Sequence, residues 1–169
     1  MEIASRIGLK LDQAGLEVDV RPAERVQDLS PYQAVVIGSA VYLGQWRREA
    51  ADFLEAHETG LRERLVWLFS SGPTGKGDPV ELMNGWRFPE ALLPLAERIR
   101  PMNIAFFGGR LNFAYLNLAE KLIIKGIRAP FGDFRDWAKI DAWAGSIAAA
   151  LQRRRETELP EGIGASGAS

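Results

Sequence analysis

The sequence predicts an α/β fold, a three-layer sandwich built on a parallel sheet. Three short apolar runs, at residues 33–39, 65–70 and 102–109, have the composition of strands that are covered on both faces. Amphipathic helical patterns separate these runs, and strands that alternate with helices imply right-handed crossovers between parallel strands. Because such sheets bind ligands at the carboxyl ends of their strands, a functional site is expected in the loops that follow them.

Two further elements precede these strands. Residues 2–14 place Ile3, Ile7 and Leu11 on one face of a helix, and Gly15 suits its carboxyl-terminal cap. Residues 16–21 then alternate strictly between apolar and charged side chains, which predicts a half-exposed strand. The chain is therefore expected to open on a helix and to continue into a strand at the edge of the sheet.

Three more helices are predicted farther along the chain. Two of them cover roughly residues 46–58 and 89–98, and the last carries apolar residues at helical spacing: Trp137, Ile140, Ala144, Ile147 and Leu151. Residues 154–169 are rich in Gly, Ala, Ser, Glu and Pro, which predicts a disordered tail. The sequence therefore predicts one domain over residues 1–153, followed by this tail.

The composition excludes several classes of protein. The 169 residues include 21 basic and 22 acidic side chains, a formal net charge of -1, which gives no overall attraction to nucleic acid. With no Cys and one His, disulfide frameworks, cysteine nucleophiles and nearly all zinc sites are excluded, and no metal site is predicted. No apolar run reaches the ~18 residues of a membrane span and the start does not resemble a signal peptide, so a cytoplasmic protein is expected.

Two loops after predicted strands are rich in small residues. The first, residues 38–46, includes Tyr42 and Trp46, which either offer flat faces to a ligand or pack on the neighbouring helix. The second, residues 70–77, offers N–H and O–H groups to a polar ligand. Its Gly-Lys pair lacks the spacing of a phosphate-binding loop, and Gly77 stands where that motif requires Ser or Thr, so a nucleotide triphosphatase is excluded.

Motifs in the second half of the chain point to a family. Gly108-Gly109-Arg110-Leu111 leads into Tyr-Leu-Asn-Leu-Ala-Glu-Lys-Leu-Ile-Ile-Lys at residues 115–125, and Asp133-Phe134-Arg135-Asp136-Trp137 opens the last helix. Together with Glu2-Ile3-Ala4 near the start, this succession resembles the menaquinone-dependent protoporphyrinogen oxidases of the flavodoxin superfamily, over roughly residues 2–152. The resemblance implies a doubly wound parallel sheet of strand order 2-1-3-4-5.

The resemblance also implies FMN at the carboxyl ends of the strands. The residues carried over by position to the flavin ring are Ser39, Ala40, Val41, Tyr42, Leu43 and Gly44, and those carried over to the ring edge and ribityl chain are Ser70, Ser71, Gly72, Pro73 and Thr74. Gly109 lies at the rim of the same cleft, and Tyr42 and Trp46 are expected to stack on flavin or substrate. No catalytic side chain is expected, because the flavin would carry the chemistry.

The chain departs from the family at its start. The family's first strand and hydroxyl-rich phosphate loop precede the first helix, and this chain begins at that helix. The missing strand would lie between the strands at 16–21 and 33–39, which would leave two strand edges without partners. The expectation is that the true start lies upstream of Met1. Alternatively, the strand at 16–21 moves into the gap, or the protein is a degenerate remnant.

Charged residues in the second half of the chain are further candidates. Lys121 and Lys125 lie on one face of a predicted helix that either meets anionic lipid or porphyrin propionates, or packs on the core with a solvated basic stripe. Asp133, Arg135 and Asp136 either form an acid/base set or belong to the start of the last helix, with Asp136 as its N-cap.

The predicted function is that of an FMN-dependent oxidoreductase resembling menaquinone-dependent protoporphyrinogen oxidase, in heme biosynthesis. Its expected partners are a porphyrinogen substrate and a quinone acceptor, with peripheral contact to the inner face of the membrane and none to nucleic acid. Two alternatives remain open: a flavodoxin-like electron carrier, and a remnant that binds no flavin. The mixed to basic character of the chain near the cleft counts against the carrier, because acidic surfaces around the flavin are usual in that class.

Overall fold

The structure is a computed structural model that describes residues 1–111 and 130–158. The elements in chain order are α1 (Glu2–Gln13), β1 (Ala34–Tyr42), β2 (Gln45–Trp46), α2 (Arg48–Ala56), α3 (Glu58–Arg62), β3 (Leu65–Ser71), α4 (Pro79–Leu82), α5 (Leu93–Ile99), β4 (Asn103–Phe107), β5 (Arg110–Leu111), β6 (Gly132–Asp133) and α6 (Trp137–Glu158). Short 3-10 turns lie at Ala23–Arg25 and Glu90–Leu92. The chain divides into two compact units, Met1–Val20 with Ala138–Ser169, and Arg21–Trp137.

The larger unit, Arg21–Trp137, is built on a sheet of order β2-β1-β3-β4. β1, β3 and β4 run parallel, with Ala34 opposite Leu65 and Trp67 opposite Asn103. β3 is buried along most of its length, and a parallel strand covered on both faces needs the unbroken apolar sequence that it has. β2 is a two-residue antiparallel addition at the end of β1. The predicted α/β class with a parallel sheet is confirmed, with small shifts at the strand ends.

Both crossovers of this unit pack on one face of the sheet, called the core face here. The sheet presents Ile37, Val66 and Leu68 on this face. The helices α2, α3 and α5 cover it with Ala50, Phe53, Leu54, Leu61, Leu95, Ala96 and Ile99. The amphipathic patterns in the sequence therefore become the apolar sides of these helices. The helix predicted at 46–58 begins only at Arg48, because Trp46 lies in β2. It ends at Ala56, and α3 follows as a separate turn.

The smaller unit joins α1 to α6. Arg6 donates to both carboxylate oxygens of Asp141, from Nε at 2.7 Å and from Nη2 at 2.6 Å, and Lys10 Nζ lies 3.5 Å from the same group. These cations lower the pKa of Asp141, chiefly through the Arg6 hydrogen bond. The Gln152 side chain also donates to the Ala14 carbonyl. Side-chain hydrogen bonds thus connect the first helix to the last.

Residues 16–21, predicted to form an edge strand, are not in a strand. Val18 and Val20 instead contact α1 at Gly8, where the helix surface carries no side chain. Leu16 is buried as well. The apolar half of the alternating pattern therefore packs on a helix of its own unit rather than on a sheet. The alternative in which this segment fills the gap beside β1 is wrong, because the segment takes no part in the sheet.

The last helix is longer than the sequence predicted. α6 continues to Glu158, so residues 154–158, expected in a disordered tail, are helical. Their neighbours Gln152 and Arg153 favour helix, as do the two arginines that follow, so the segment extends α6 without a break. The remaining tail residues lie outside the described part of the chain. Neither α6 nor another helix within residues 1–111 and 130–158 has the length and apolar character needed to cross a bilayer.

Candidate functional site

Three backbone segments meet at the carboxyl ends of β3 and β4. Hydrogen bonds of 3.0 Å join them: Gly72 N–H to the Phe107 carbonyl, Gly109 N–H to the Pro73 carbonyl, and Phe134 N–H to the Gly109 carbonyl. A Cβ on Gly109 would overlap the Gly72 carbonyl, and a Cβ on Gly108 would overlap the Phe134 carbonyl. Gly72, Gly108 and Gly109 form this glycine junction. Gly72 and Gly109 were predicted to border a ligand cleft. In the structure, the glycines of the junction allow close contact between backbone segments.

The end of β1 turns back into β2 through a tight hairpin. The two strands pair over two residues each, which leaves Leu43 and Gly44 as a two-residue loop. Their φ values of +49 and +74 place both residues in the left-handed region that a type I′ hairpin turn requires. Leu is unusual at such a position, because a left-handed conformation costs an L-residue about 1–2 kcal/mol. Leu43 nevertheless occupies it with 66% of its surface exposed.

The alternation of β1 and β3 sorts the predicted ligand contacts onto two faces. Ser39 lies opposite Ser70, and both share the core face with Leu68. Ala40 lies opposite Ser71 on the other face. The two serines of the core face are buried. The more accessible hydroxyls at this end of β3 are those of Ser71 and Thr74.

The buried serines are already used within the protein. Ser39 Oγ donates to the Ala40 carbonyl at 2.8 Å and accepts from the Arg47 N–H at 2.9 Å. Ser70 Oγ accepts from the Trp46 indole N–H at 2.9 Å. Trp46 is 6% exposed and packs with its ring at 75° to that of Phe88. Trp46, which was expected to stack on flavin or substrate, is therefore a core residue, because its indole is enclosed by the core face and hydrogen-bonded there.

Ala40 and Tyr42 lie on the opposite face of β1, and Leu43 lies in the turn that follows them. Ala40, Tyr42 and Leu43 are all exposed, and together they form what we call the apolar ledge. Because Ala40 pairs with Ser71, the ledge lies beside the segment formed by the last residue of β3 and the residues that follow it. Ser71 and Thr74 of that segment are half-buried, and the Ser71 hydroxyl is 3.4 Å from the Gly108 carbonyl. An apolar surface and hydroxyl groups thus lie on neighbouring strands.

The carboxylate near the glycine junction is paired with a cation. Asp133 accepts from Arg135 Nε at 2.7 Å and from the Arg135 backbone N–H. The side-chain bond lowers the pKa of Asp133, with a smaller contribution from the charge of Arg110. The guanidinium carbon of Arg135 lies 4.5 Å from the centre of the Trp137 ring. The pair with Arg135 lowers the basicity of Asp133, and its hydrogen bonds hold the segment that leads into α6.

The family of the chain follows from its sequence as a whole. Residues 1–136 match the flavodoxin domain, and the match includes the hairpin, the segment after β3 and the glycine junction. The chain belongs to the flavodoxin domain family. The parallel arrangement of β1, β3 and β4, with the candidate ligand groups at their carboxyl ends, is the architecture in which this class of sheet binds ligands.

One solved structure extends the comparison. Over 91% of its length this flavodoxin domain is similar to rubredoxin oxygen:oxidoreductase from the anaerobe Desulfovibrio gigas, with a TM-score of 0.55 and 13% identity. At that identity the similarity shows a common fold. The chain spans 33% of the length of that protein. No curated protein sequence matches the chain.

Two further features concern the second half of the flavodoxin domain. Lys121 and Lys125, predicted to contact an anion or a membrane, lie outside the described residues. The β5–β6 pair was not predicted from the sequence, because each strand has two residues and twenty residues separate Leu111 from Gly132. The signal that pointed to it was the Asp133-Phe134-Arg135-Asp136-Trp137 motif, whose first residue pairs with Arg110.

Proposed function

We propose that this flavodoxin domain binds FMN at the carboxyl ends of β1 and β3 and uses it for oxidoreduction. The observation that carries the proposal is the apolar ledge of Ala40, Tyr42 and Leu43, which lies beside the hydroxyl-bearing segment that follows β3. An exposed apolar surface next to hydroxyl and backbone donors suits a ligand with a flat ring and a polar chain.

The residues at this end of the sheet fit a flavin ring and its ribityl chain. Tyr42 and Leu43 are 37% and 66% exposed and would contact the ring. Ser71 and Thr74 would offer hydroxyls to the ring edge and the ribityl chain. Gly77, with φ +119 and nothing within 4 Å of a Cβ position, leaves its backbone open to a ligand. In the family that the sequence resembles, the phosphate is held by a loop that precedes the first helix.

The protein groups at this site act by position rather than by proton transfer. Bound FMN would supply hydride and electron transfer. The apolar ledge would orient the ring and exclude water from one of its faces. Asp133 is occupied by Arg135, so it holds the segment after β6 in place. This division of roles suits a flavoprotein whose chemistry belongs to its cofactor.

The proposed electron donor is a porphyrinogen and the proposed acceptor is a quinone. The resemblance of residues 108–111 and 133–137 to protoporphyrinogen oxidases supports this choice, and both segments adjoin the glycine junction. Desulfovibrio gigas rubredoxin oxygen:oxidoreductase is an oxidoreductase by name, which supports a redox role in general. The contact with the inner face of the membrane is part of the same proposal, since a quinone acceptor is an apolar ligand.

The first experiment measures FMN binding by fluorescence titration of the purified chain. Leu43→Ala is compared with Met102→Ala, since both residues are exposed and apolar and Met102 lies at the opposite end of the sheet, just before β4. We expect Leu43→Ala to raise the FMN Kd about tenfold, equivalent to about 1.4 kcal/mol. We expect Met102→Ala to leave the Kd unchanged. A wild-type chain that binds no FMN would support the interpretation as a remnant and reject the proposal.

A flavodoxin-like electron carrier is the second candidate. It rests on the membership of the chain in the flavodoxin domain family, since flavodoxin-like electron carriers have no substrate of their own. A porphyrinogen oxidation assay with a quinone acceptor separates the two candidates. Turnover that depends on FMN supports the oxidase, whereas FMN binding without porphyrinogen oxidation supports the carrier.

A further inference from the structure

The ladder between β1 and β2 is too short to determine where β2 and the turn of the apolar ledge lie. β2 has two residues, and its ladder with β1 consists of two residue pairs. Isolated two-stranded hairpins are marginally stable at best, even when they are longer than this one. The turn residue Leu43, at φ +49, also disfavours the loop conformation. β1 is held by its ladder with β3 as far as Ala40, opposite Ser71, so contacts outside the β1–β2 ladder must determine where the turn and β2 lie.

Two side-chain hydrogen bonds supply these contacts. The Arg47 backbone N–H, just after β2, donates to Ser39 Oγ at 2.9 Å, which attaches the end of the hairpin to β1 itself. The Trp46 indole N–H donates to Ser70 Oγ at 2.9 Å, which attaches the hairpin to β3. The second bond connects β2, which closes the turn that carries Leu43, to β3, which leads into residues 71–74.

The bond between Trp46 and Ser70 is enclosed. Ser70 is completely buried and Trp46 is 6% exposed, and the rings of Trp46 and Phe88 are 5.0 Å apart. Water cannot replace a lost partner in such a place, so the bond is maintained more strictly than one at the surface. The segment of residues 71–74 follows directly on Ser70. This one bond thus links β2, beyond the end of the β1–β3 ladder, to the strand that leads into residues 71–74.

We infer that Trp46 and Ser70 are positioning residues: their hydrogen bond sets the position of the turn end of the apolar ledge, Tyr42 and Leu43, relative to residues 71–74, and thereby the affinity for a flat ring between them. The inference rests on the proposed function for the identity of the ring. Both residues act through the ledge and neither touches the ligand, because both lie on the core face while Ala40 and Ser71 lie on the opposite face.

The test is a double-mutant cycle on the full chain. Ser70→Ala removes the acceptor, Trp46→Phe removes the donor while keeping a large aromatic ring, and the double variant removes both. Two quantities are measured: the FMN Kd, and hydrogen–deuterium exchange of residues 41–47 without FMN. The control is Val66→Ala, a fully buried truncation in the same strand and on the same face as Ser70. We expect this truncation to lower the melting temperature, because it leaves a cavity in the core, while both partners of the Trp46–Ser70 bond are kept.

We expect each single variant to raise the FMN Kd about tenfold and to speed exchange of residues 41–47 severalfold. The double variant should bind FMN no more weakly than the weaker-binding single variant, because the same hydrogen bond is lost in all three variants. Val66→Ala should keep the Kd within twofold and the exchange of residues 41–47 unchanged. Should Trp46→Phe fail to fold, Ser70→Ala alone decides, since it removes a single oxygen.

The inference is overturned if Ser70→Ala lowers the melting temperature while the Kd and the hairpin exchange keep their wild-type values, because the bond would then be structural only. Additive effects in the double variant would also overturn it. If the wild-type chain binds no FMN, the proposed function fails. The exchange measurement without FMN then still judges whether the bond positions the hairpin, so the two failures are distinguishable.

Discussion

Glycine follows β1 in the hairpin turn and follows β4 in the glycine junction, and it is needed for a different reason in each region. At the glycine junction, Gly109 is needed because a Cβ would overlap the Gly72 carbonyl. In the hairpin, Gly44 has nothing within 4 Å of a Cβ position, and it is needed for its φ of +74. The junction is closed by contact between backbones, whereas the hairpin turn is open and carries the groups proposed to meet a ligand. Small residues in a loop therefore do not by themselves identify a ligand site.

The largest effect is expected from Gly109→Ala. The new methyl group would overlap a backbone carbonyl that cannot move without breaking the hydrogen bonds of the junction. We expect a loss of about 3 kcal/mol in the free energy of unfolding, measured by urea denaturation. The matched control is Gly145→Ala in α6, where nothing lies within 4 Å, and a gain of up to about 1 kcal/mol is expected because Ala favours helix. Equal urea midpoints for Gly109→Ala and the wild type would show that the junction is not tight.

A smaller loss is expected from Gly44→Ala. Space is available for the methyl group, and the cost comes only from the left-handed backbone, about 1 kcal/mol. Asn tolerates this conformation better than Ala, so Gly44→Asn should recover part of the loss in the same urea experiment. Gly109→Asn should recover nothing, because its problem is contact and not φ. A common ranking of Ala and Asn at both positions would contradict the distinction between the two regions.

Leu43→Asn should act on stability and binding in opposite directions. Asn followed by Gly is the preferred pair for a type I′ turn, so we expect a gain of about 0.5–1 kcal/mol in the free energy of unfolding. The same change removes the most exposed apolar side chain of the ledge, and the FMN Kd should rise about tenfold. Urea denaturation and FMN titration on the same preparation measure both quantities. A variant that is more stable and binds FMN as well as the wild type would remove Leu43 from the site.

The smallest effect is expected from the ion pair of Asp133 and Arg135 beside the glycine junction, through the pH dependence of the free energy of unfolding. Arg135 lowers the pKa of Asp133, so the unfolded chain binds more protons than the folded chain below about pH 4. The stabilisation from this pair is complete above that pH and is lost as pH falls through the lowered pKa of Asp133. We expect Asp133→Asn to make the free energy of unfolding less dependent on pH in that window. The pH-dependent stabilisation that is lost should be less than about 1 kcal/mol, because the carboxylate is partly exposed. An unchanged slope would show that the pair does not contribute.

The sequence predicted the elements better than it predicted the roles of their residues. β1, β3 and β4 were correct because a strand covered on both faces needs an unbroken apolar run, and that requirement is local. The strand at residues 16–21 was wrong because alternation reports one buried face and not what covers it. Trp46 was predicted to stack on a ligand because it is aromatic. Its hydrogen-bond partner, Ser70, lies 24 residues away in the chain, so no local pattern indicated the contact.

What the sequence by itself determined is the α/β class, the parallel strands and the segments that end at their carboxyl edge, because periodicity and residue type act over a few neighbours. The tertiary structure decided which side chains of those segments are accessible. The side chains buried on the core face are Ser39, Ser70 and Trp46, and those left exposed are Ala40, Tyr42 and Leu43. Close contact between backbone segments occurs at the glycine junction. The physical reason is that burial and close approach depend on residues that are distant in the chain.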